Sequence, residues 1–532
     1  MDEFFSGRPL VGSLTGADVA VFAGVLVMMF VIAFVKGRKE GDTADFFLGA
    51  RRVPVIIAAM SFVATEVSAV TITNVPGTGF TENLQYLQFY IGSAASKLFV
   101  AFLFLPVFYR HNCTSIYEFL RHRFGAPSQY SGSVFFFITR LLASGARLYA
   151  ACYSIAWIMG WVDAAHPLRG LLVALALFTA GSIAFIAFGG IKAVVWTGAF
   201  QASVFYVAGA AVIAFLGTQL VGGVGEIWGI AAEAGRLSVF DFSPEFNRAT
   251  SFWAGTANAF FIGLAVFGTD QELVQRLLTV RTRRASQGAI LTTIVAALPV
   301  VVIYLGIGTL MFVFFAQNPD PSLPSKAKEV FPYYIAHYLP GGLRGLVLAA
   351  IVLASIDSPL VSLSSSFVMD IYKPLIRRGA SERHYLWVSR LGVVGFGVVL
   401  AAVAVACTRA DNILWLAFQI ISITGGSLLG VFLLGILTRR GNNRGNILAM
   451  VINSVLMAAM TLLGSFGPVG LARFFGLTDQ AAPADERAIF PLAWSWLIVL
   501  GTGVTFVLGL LLGLGQTRPP EGSSASGQEA GT

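Results

Sequence analysis

Residues 61–79 read SFVATEVSAVTITNVPGTG, an apolar stretch interrupted by Thr65, Glu66, Ser68, Thr71 and Thr73 and closed by Pro76 and Gly77. The segment belongs to a run long enough to cross about 30 Å of hydrocarbon, yet it makes a poor continuous helix. At membrane depth a broken helix is tolerated only where its freed carbonyls and amides face a cavity, an ion or a partner. Residues 349–373, AAIVLASIDSPLVSLSSSFVMDIYK, repeat the theme with Asp357 set among serines at 355, 358, 362, 364, 365 and 366. Close helix packing accounts for most of those serines. It does not account for a buried carboxylate, which is expensive unless it holds an ion, a substrate or a partner, so the pattern points to ion-coupled transport.

The rest of the chain supplies the setting. Of its 532 residues 56% are hydrophobic and only 12% charged, and 57 are glycine, with a mean hydropathy of +0.77. This is the composition of an all-α integral membrane protein without a soluble catalytic domain. Uncharged runs, together with four charge-bearing crossings near 53–76, 86–109, 131–162 and 343–368, predict about thirteen transmembrane helices. The loops beginning at Lys36, Arg110, Lys192, Arg276, Lys373 and Arg439 hold about twenty Lys and Arg, which makes them cytoplasmic. Met1 is then expected outside a cell (inner) membrane and the GSSASGQEAGT tail inside.

The net charge of +8 reflects this loop bias, and with no basic patch interleaved with aromatics, no nucleic-acid partner is expected. The first apolar run lacks a basic flank and a cleavage site, so it is read as a retained helix. Cys113, Cys152 and Cys407 are scattered, as are the five histidines. Neither metal-ligand spacing nor a nucleophile with a base appears, and the chain is not expected to be an enzyme.

Several charges stand inside predicted crossings. Arg140 and Arg147, in FFFITRLLASGARLYAACYSI (135–155), are seven residues apart and share a helix face. A structural reading pairs one of them with Glu66 or Asp357. A functional reading leaves one guanidinium, preferably Arg147 with its small neighbours, to hold a substrate carboxylate. Lys97 reads as structural, its stem able to snorkel, and Asp270 is placed near the cytoplasmic end of its helix beside a basic loop.

Six motifs carry a resemblance: GRKEGDTADFFLGARR (37–52), TEVSAVTITNVPG (65–77), TSIYEFLRHRFG (114–125), GGIKAVVWTG (189–198), GTDQELVQR (268–276) and LASIDSPLVSLSSSFVMDIYK (353–373). In order and spacing the chain is similar to the sodium/solute symporter family, which includes sodium-coupled sugar, sialic acid, proline and choline transporters. The resemblance implies a leucine-transporter-type 5+5 inverted repeat with one extra N-terminal and two extra C-terminal helices. The implied divisions are an N-terminal segment, extra helix and loop over 1–52, repeats at 53–217 and 252–437 around an external loop at 218–251, two further helices over 438–517, and a tail over 518–532.

By the same resemblance, sodium would be bound by carbonyls of Ala64, Val67 and Ile351 and by the hydroxyl of Ser355. Ala354 stands where relatives have a second hydroxyl, and Asp357 and Ser358, within a turn, would complete the shell; a choline-transporter-like branch shows a similar Ser-x-Asp-Ser pattern. Gly198 stands where many relatives have an acid, which implies one sodium per cycle. Transfer from the sialic acid transporters maps Glu66, Ser68, Thr71 and Arg147 onto substrate contacts, with Gln88 and Gln419 as less secure candidates. Arg147 suggests a carboxylate-bearing solute, sugar-acid or amino-acid-like.

The expected function is sodium-coupled symport of such a solute into the cytoplasm by alternating access, with sodium and the solute as partners in a lipid bilayer and no cofactor beyond the coupling ion. Two alternatives stand beside it. Glu66, if its pKa rises on desolvation, could couple transport to protons, and some relatives sense solutes, although about fifteen polar residues after the last helix are few for a signalling domain.

Overall fold

A computed structural model describes residues 14–37, 43–158, 161, 167–245, 248, 250–325, 327–354, 359–407, 421–474 and 494–513. Among these residues the secondary structure is entirely helical. Five helices among the described residues are long and apolar enough to cross a membrane: Gly16–Gly37, Tyr86–Arg110, Gly190–Gln219, Arg283–Gln317 and Glu382–Ala406. Two further crossings are bent pairs, and four shorter apolar helices, Leu168–Ile183, Leu343–Leu353, Ile423–Leu437 and Leu497–Leu512, add to the bundle.

The bent pairs are the organising feature. Val55–Glu66 and Thr71–Thr81 meet at 60°, and Phe252–Gly268 and Gln271–Leu278 meet at 59°. The first break lies where the sequence interrupts its apolar run. Val67 leaves the helix with ψ 114°, and Ser68 caps the next half with its side chain while Thr71 bonds back to the Ser68 N–H. This reciprocal capping box satisfies two amides that would otherwise be orphaned in an apolar setting.

The second break is capped by Asp270, whose carboxylate accepts the Glu272 N–H at 2.9 Å. Asp270 therefore opens a second half-helix, Gln271–Leu278, instead of lying near the end of one helix as its sequence context suggested. All eight residues of that half-helix are buried, so both halves of the crossing contribute to the interior.

A third interruption divides the helical stretch Pro167–Gln219. Gly190 there takes φ +47° and ψ −149°, a conformation that side chains with a Cβ rarely adopt. Helix crossings elsewhere are made close by glycine: a Cβ on Gly308 would run into the backbone of Pro76, and one on Gly92 into the backbone of Thr256.

Buried polar contacts fix the ends of the bundle. Arg344 donates Nη2 and Nε to Asp18 at 2.8 and 3.0 Å, and the Gly342 and Gly345 amides donate to the same carboxylate, tying Gly16–Gly37 to Leu343–Leu353. At another end the short helix Thr43–Leu48 is held from three sides. Its Thr43 hydroxyl donates to Glu382 at 2.7 Å, Gln275 donates to the Phe47 carbonyl at 2.7 Å, and Asp45 pairs with Lys192.

Asp370, fully buried, accepts from Ser115, Ser133 and Ser366 hydroxyls at 2.7, 2.8 and 2.6 Å and from the Gln129 amide at 2.8 Å. Four neutral donors around one carboxylate satisfy its lone pairs, with no counter-cation paired to it among the described residues.

Candidate functional site: a cavity between the helix breaks

The Val55–Glu66 helix delivers its last hydrogen bond when the Val67 N–H meets the Val63 carbonyl at 3.0 Å. Beyond that point the carbonyls of Ala64, Thr65 and Glu66 have no i+4 amide within the helix, and a hard cation takes such oxygens in place of water. Ala64 and Thr65 line a partly open cavity, shared with Ser144, Arg147, Glu272 and Ala354. Thus the two helices to which the resemblance assigns sodium, through Ala64 and through the end of Leu343–Leu353, reach the same cavity. Val67 and Ile351 are buried beside it in sequence, at 4% and 0% exposure. Ser355, Asp357, Ser358 and Gln419 lie outside the described residues.

The charges sort themselves differently from the expected pairings. Glu66 is held by Lys97, whose Nζ donates to both carboxylate oxygens at 3.0 and 2.8 Å. Lys97 is fully buried, with the rings of Phe267 and Tyr90 5.1 and 5.7 Å from its ammonium. It is therefore an interior partner and does not snorkel. Arg140 pairs with Asp270 and Glu272, across from its own helix to the second break.

Arg147, two turns further along Ala126–Ile158, lines the cavity and makes no hydrogen bond or ion pair among the described residues. A guanidinium in that position can take a carboxylate bidentately. Ser144, on the same helix, and Thr65 add hydroxyls to the wall.

The other substrate candidates fall in two places. Ser68 and Thr71 form the capping box of the second half-helix, so their side chains already serve the backbone. Gln88 is fully buried and joined to the segment before Phe252–Gly268: it donates to the Thr250 carbonyl and accepts the Asp241 N–H at 3.3 Å. The cavity walls do not include it.

Two functional neighbours escaped the sequence reading of the pocket. Glu272 sits in a half-helix whose apolar face hides it, and the signal for it was an acid two residues after a capping Asp. Lys97 was visible as a cation among Gly, Ser and Ala in YIGSAASKLFV, but nothing in the sequence joined it to Glu66.

At Gly198 a Cβ would come within 3.1 Å of Ser61 Cβ and 3.2 Å of Ser61 Cα. Ser61 in turn accepts the Arg276 Nε–H at 3.0 Å. The space that an acid would need at this position is filled by that pair.

Comparison with known proteins agrees with the geometry. The chain is 29% identical over 459 residues to "Sodium-coupled monocarboxylate transporter 2" of Danio rerio, covering 83% of this chain and 71% of that protein. It is 28% identical over 513 residues to the human "Sodium/iodide cotransporter", covering 91% and 76%. In fold it resembles a Na+-coupled sialic acid symporter solved in a substrate-bound outward-open state, with TM-score 0.80 and 22% identity over 94% of this chain and 98% of that one. The leucine-transporter-type architecture expected from the resemblance is thereby shown. The profile of the "Sodium:solute symporter family" matches residues 46–453, so the chain belongs to that family and is a multi-pass membrane carrier, not an enzyme.

Proposed function

We propose that this carrier moves a small carboxylate-bearing solute together with one sodium ion into the cytoplasm by alternating access. The observation that carries the proposal is Arg147, a cavity-lining guanidinium with no ion-pair partner among the described residues, beside the helix end whose Ala64 and Thr65 line the same cavity. Sodium is assigned to the carbonyls of Ala64, Val67 and Ile351, with Ser355, Asp357 and Ser358 supplying the remaining oxygens. The relatives named for monocarboxylates and iodide support an anionic solute, and the filled space at Gly198 supports a single sodium. The Glu66–Lys97 pair supports sodium over proton coupling, because it gives Glu66 a structural partner in the bundle.

The loop charges support a cell-membrane setting with Met1 outside. The test is uptake by proteoliposomes carrying a sodium gradient, with radiolabelled propionate, lactate, pyruvate and nicotinate as probes. Sodium-driven uptake of one or more of these, abolished in Arg147→Gln and insensitive to replacing the carboxylate by an amide only if the proposal is wrong, decides the matter.

A further inference from the structure

The site contains two guanidinia on one helix and two carboxylates on the facing half-helix, yet the pairs are unequal. Arg140 takes both Asp270 and Glu272, while Arg147, seven residues or about 10 Å of helix rise away, takes neither. Glu272 lines the same cavity as Arg147. A carboxylate in a low-dielectric cavity beside a second guanidinium is strongly drawn to it, and such a pairing would block the place where a solute anion has to bind.

What holds Glu272 back is local structure. Asp270 caps the Gln271–Leu278 half-helix and fixes its first turn. Glu272 lies in that turn, where the helix dipole favours a negative charge, and its side chain is 2% exposed. Both acids are therefore presented as a unit to Arg140, which is 6% exposed.

We infer that Arg140 is a positioning residue: by sequestering Glu272 it keeps the Arg147 guanidinium open for the solute's carboxylate. This rests on the proposed role of Arg147 and adds the means by which that role is protected. The four side chains together are neutral before the solute arrives. A monoanion entering with one sodium ion adds no net charge to the site, which avoids placing a bare charge at membrane depth.

The experiment reads Arg147 without needing to know the solute. Full-length protein in detergent is treated with phenylglyoxal, which modifies unpaired guanidinium groups, and the Arg147 peptide is quantified by mass spectrometry. Arg147 is expected to be modified in the unaltered protein and in Glu272→Gln. Modification should fall severalfold in Arg140→Gln, where Glu272 is released to Arg147, and return in the Arg140→Gln/Glu272→Gln double variant. Arg140→Lys, which keeps the charge, should behave as the unaltered protein and controls for misfolding.

An Arg147 that is unmodified in the unaltered protein, unchanged in Arg140→Gln, or not restored in the double variant would overturn the inference. Protection of Arg147 by propionate, lactate, pyruvate or nicotinate in sodium tests the underlying carboxylate reading separately. Loss of protection alone sinks that reading and leaves the sequestering role standing.

Discussion

Lys97 and Glu66, 31 residues apart in sequence, form a part-buried ion pair in which one ammonium spans both carboxylate oxygens at 2.8 and 3.0 Å. It joins the break of the first crossing to the helix that follows. Replacing Lys97 with Met leaves the part-buried Glu66 without its partner, which is destabilising. The detergent-solubilised variant should melt well below the parent, and Lys97→Met/Glu66→Gln should recover most of the loss. Glu66→Gln alone should leave the pH dependence of uptake in place; a flat profile would favour proton coupling.

Sodium should raise the melting temperature relative to choline at equal ionic strength, since an ion that binds only the native state stabilises it by mass action. Ser355→Ala and Asp357→Asn are expected to raise the sodium concentration needed for half-maximal stabilisation far more than the solute concentration needed for uptake. Unchanged sodium dependence in both variants would remove these residues from the ion site.

Gly198→Asp is expected to destabilise the protein without adding a second sodium. Its side chain would start in the space occupied by Ser61 and push that hydroxyl off Arg276. Gly198→Asp/Ser61→Gly should regain stability. A sodium Hill coefficient that rises from one toward two in either variant would show that the position can host an ion after all.

Glu118, in the short helix Glu118–Arg123 that follows the Tyr86–Arg110 crossing, has its carboxyl pushed up to about 7 by burial and by the nearby charge of Asp370. Its pKa in the folded protein thus exceeds the ordinary 4.5. The folded state then holds the proton more tightly, so Glu118 makes stability fall as pH rises from about 4.5 to about 7 and contributes no further change above that. The melting-temperature difference between the parent and Glu118→Gln, followed from pH 5 to pH 8, should show that slope in the parent alone.

The sequence made the first helix break readable because Glu66 and Ser68 are misfits in a continuous apolar helix, and misfits at membrane depth have few explanations; Pro76 and Gly77, read as closing the segment, lie inside the half-helix that follows. The second break was harder to see. AVFGTDQELVQRLL contains no proline, and Asp270 looks like a loop-facing acid until its capping bond to Glu272 is known.

Family and fold followed from motifs spread along the chain, which is information a single sequence carries well. Charge pairing did not follow. Glu66 had Arg140 and Arg147 as candidate partners, and only the packing of the helices brings Lys97 to it instead. Gln88 shows the same limit: a buried amide near a pocket and a buried amide tying down a loop look alike in sequence.

Asp370 carries a consequence for how independent the two halves of the molecule are. The acid and Ser366 come from the second half of the chain, whereas Ser115, Gln129 and Ser133 come from the first. Each half alone is chemically incomplete: the later one would keep a carboxylate with only Ser366 of its four donors, and the earlier one three donors without their acceptor. Although the architecture is that of a duplicated unit, the copies have become complementary, and neither can serve as a folding module without the other.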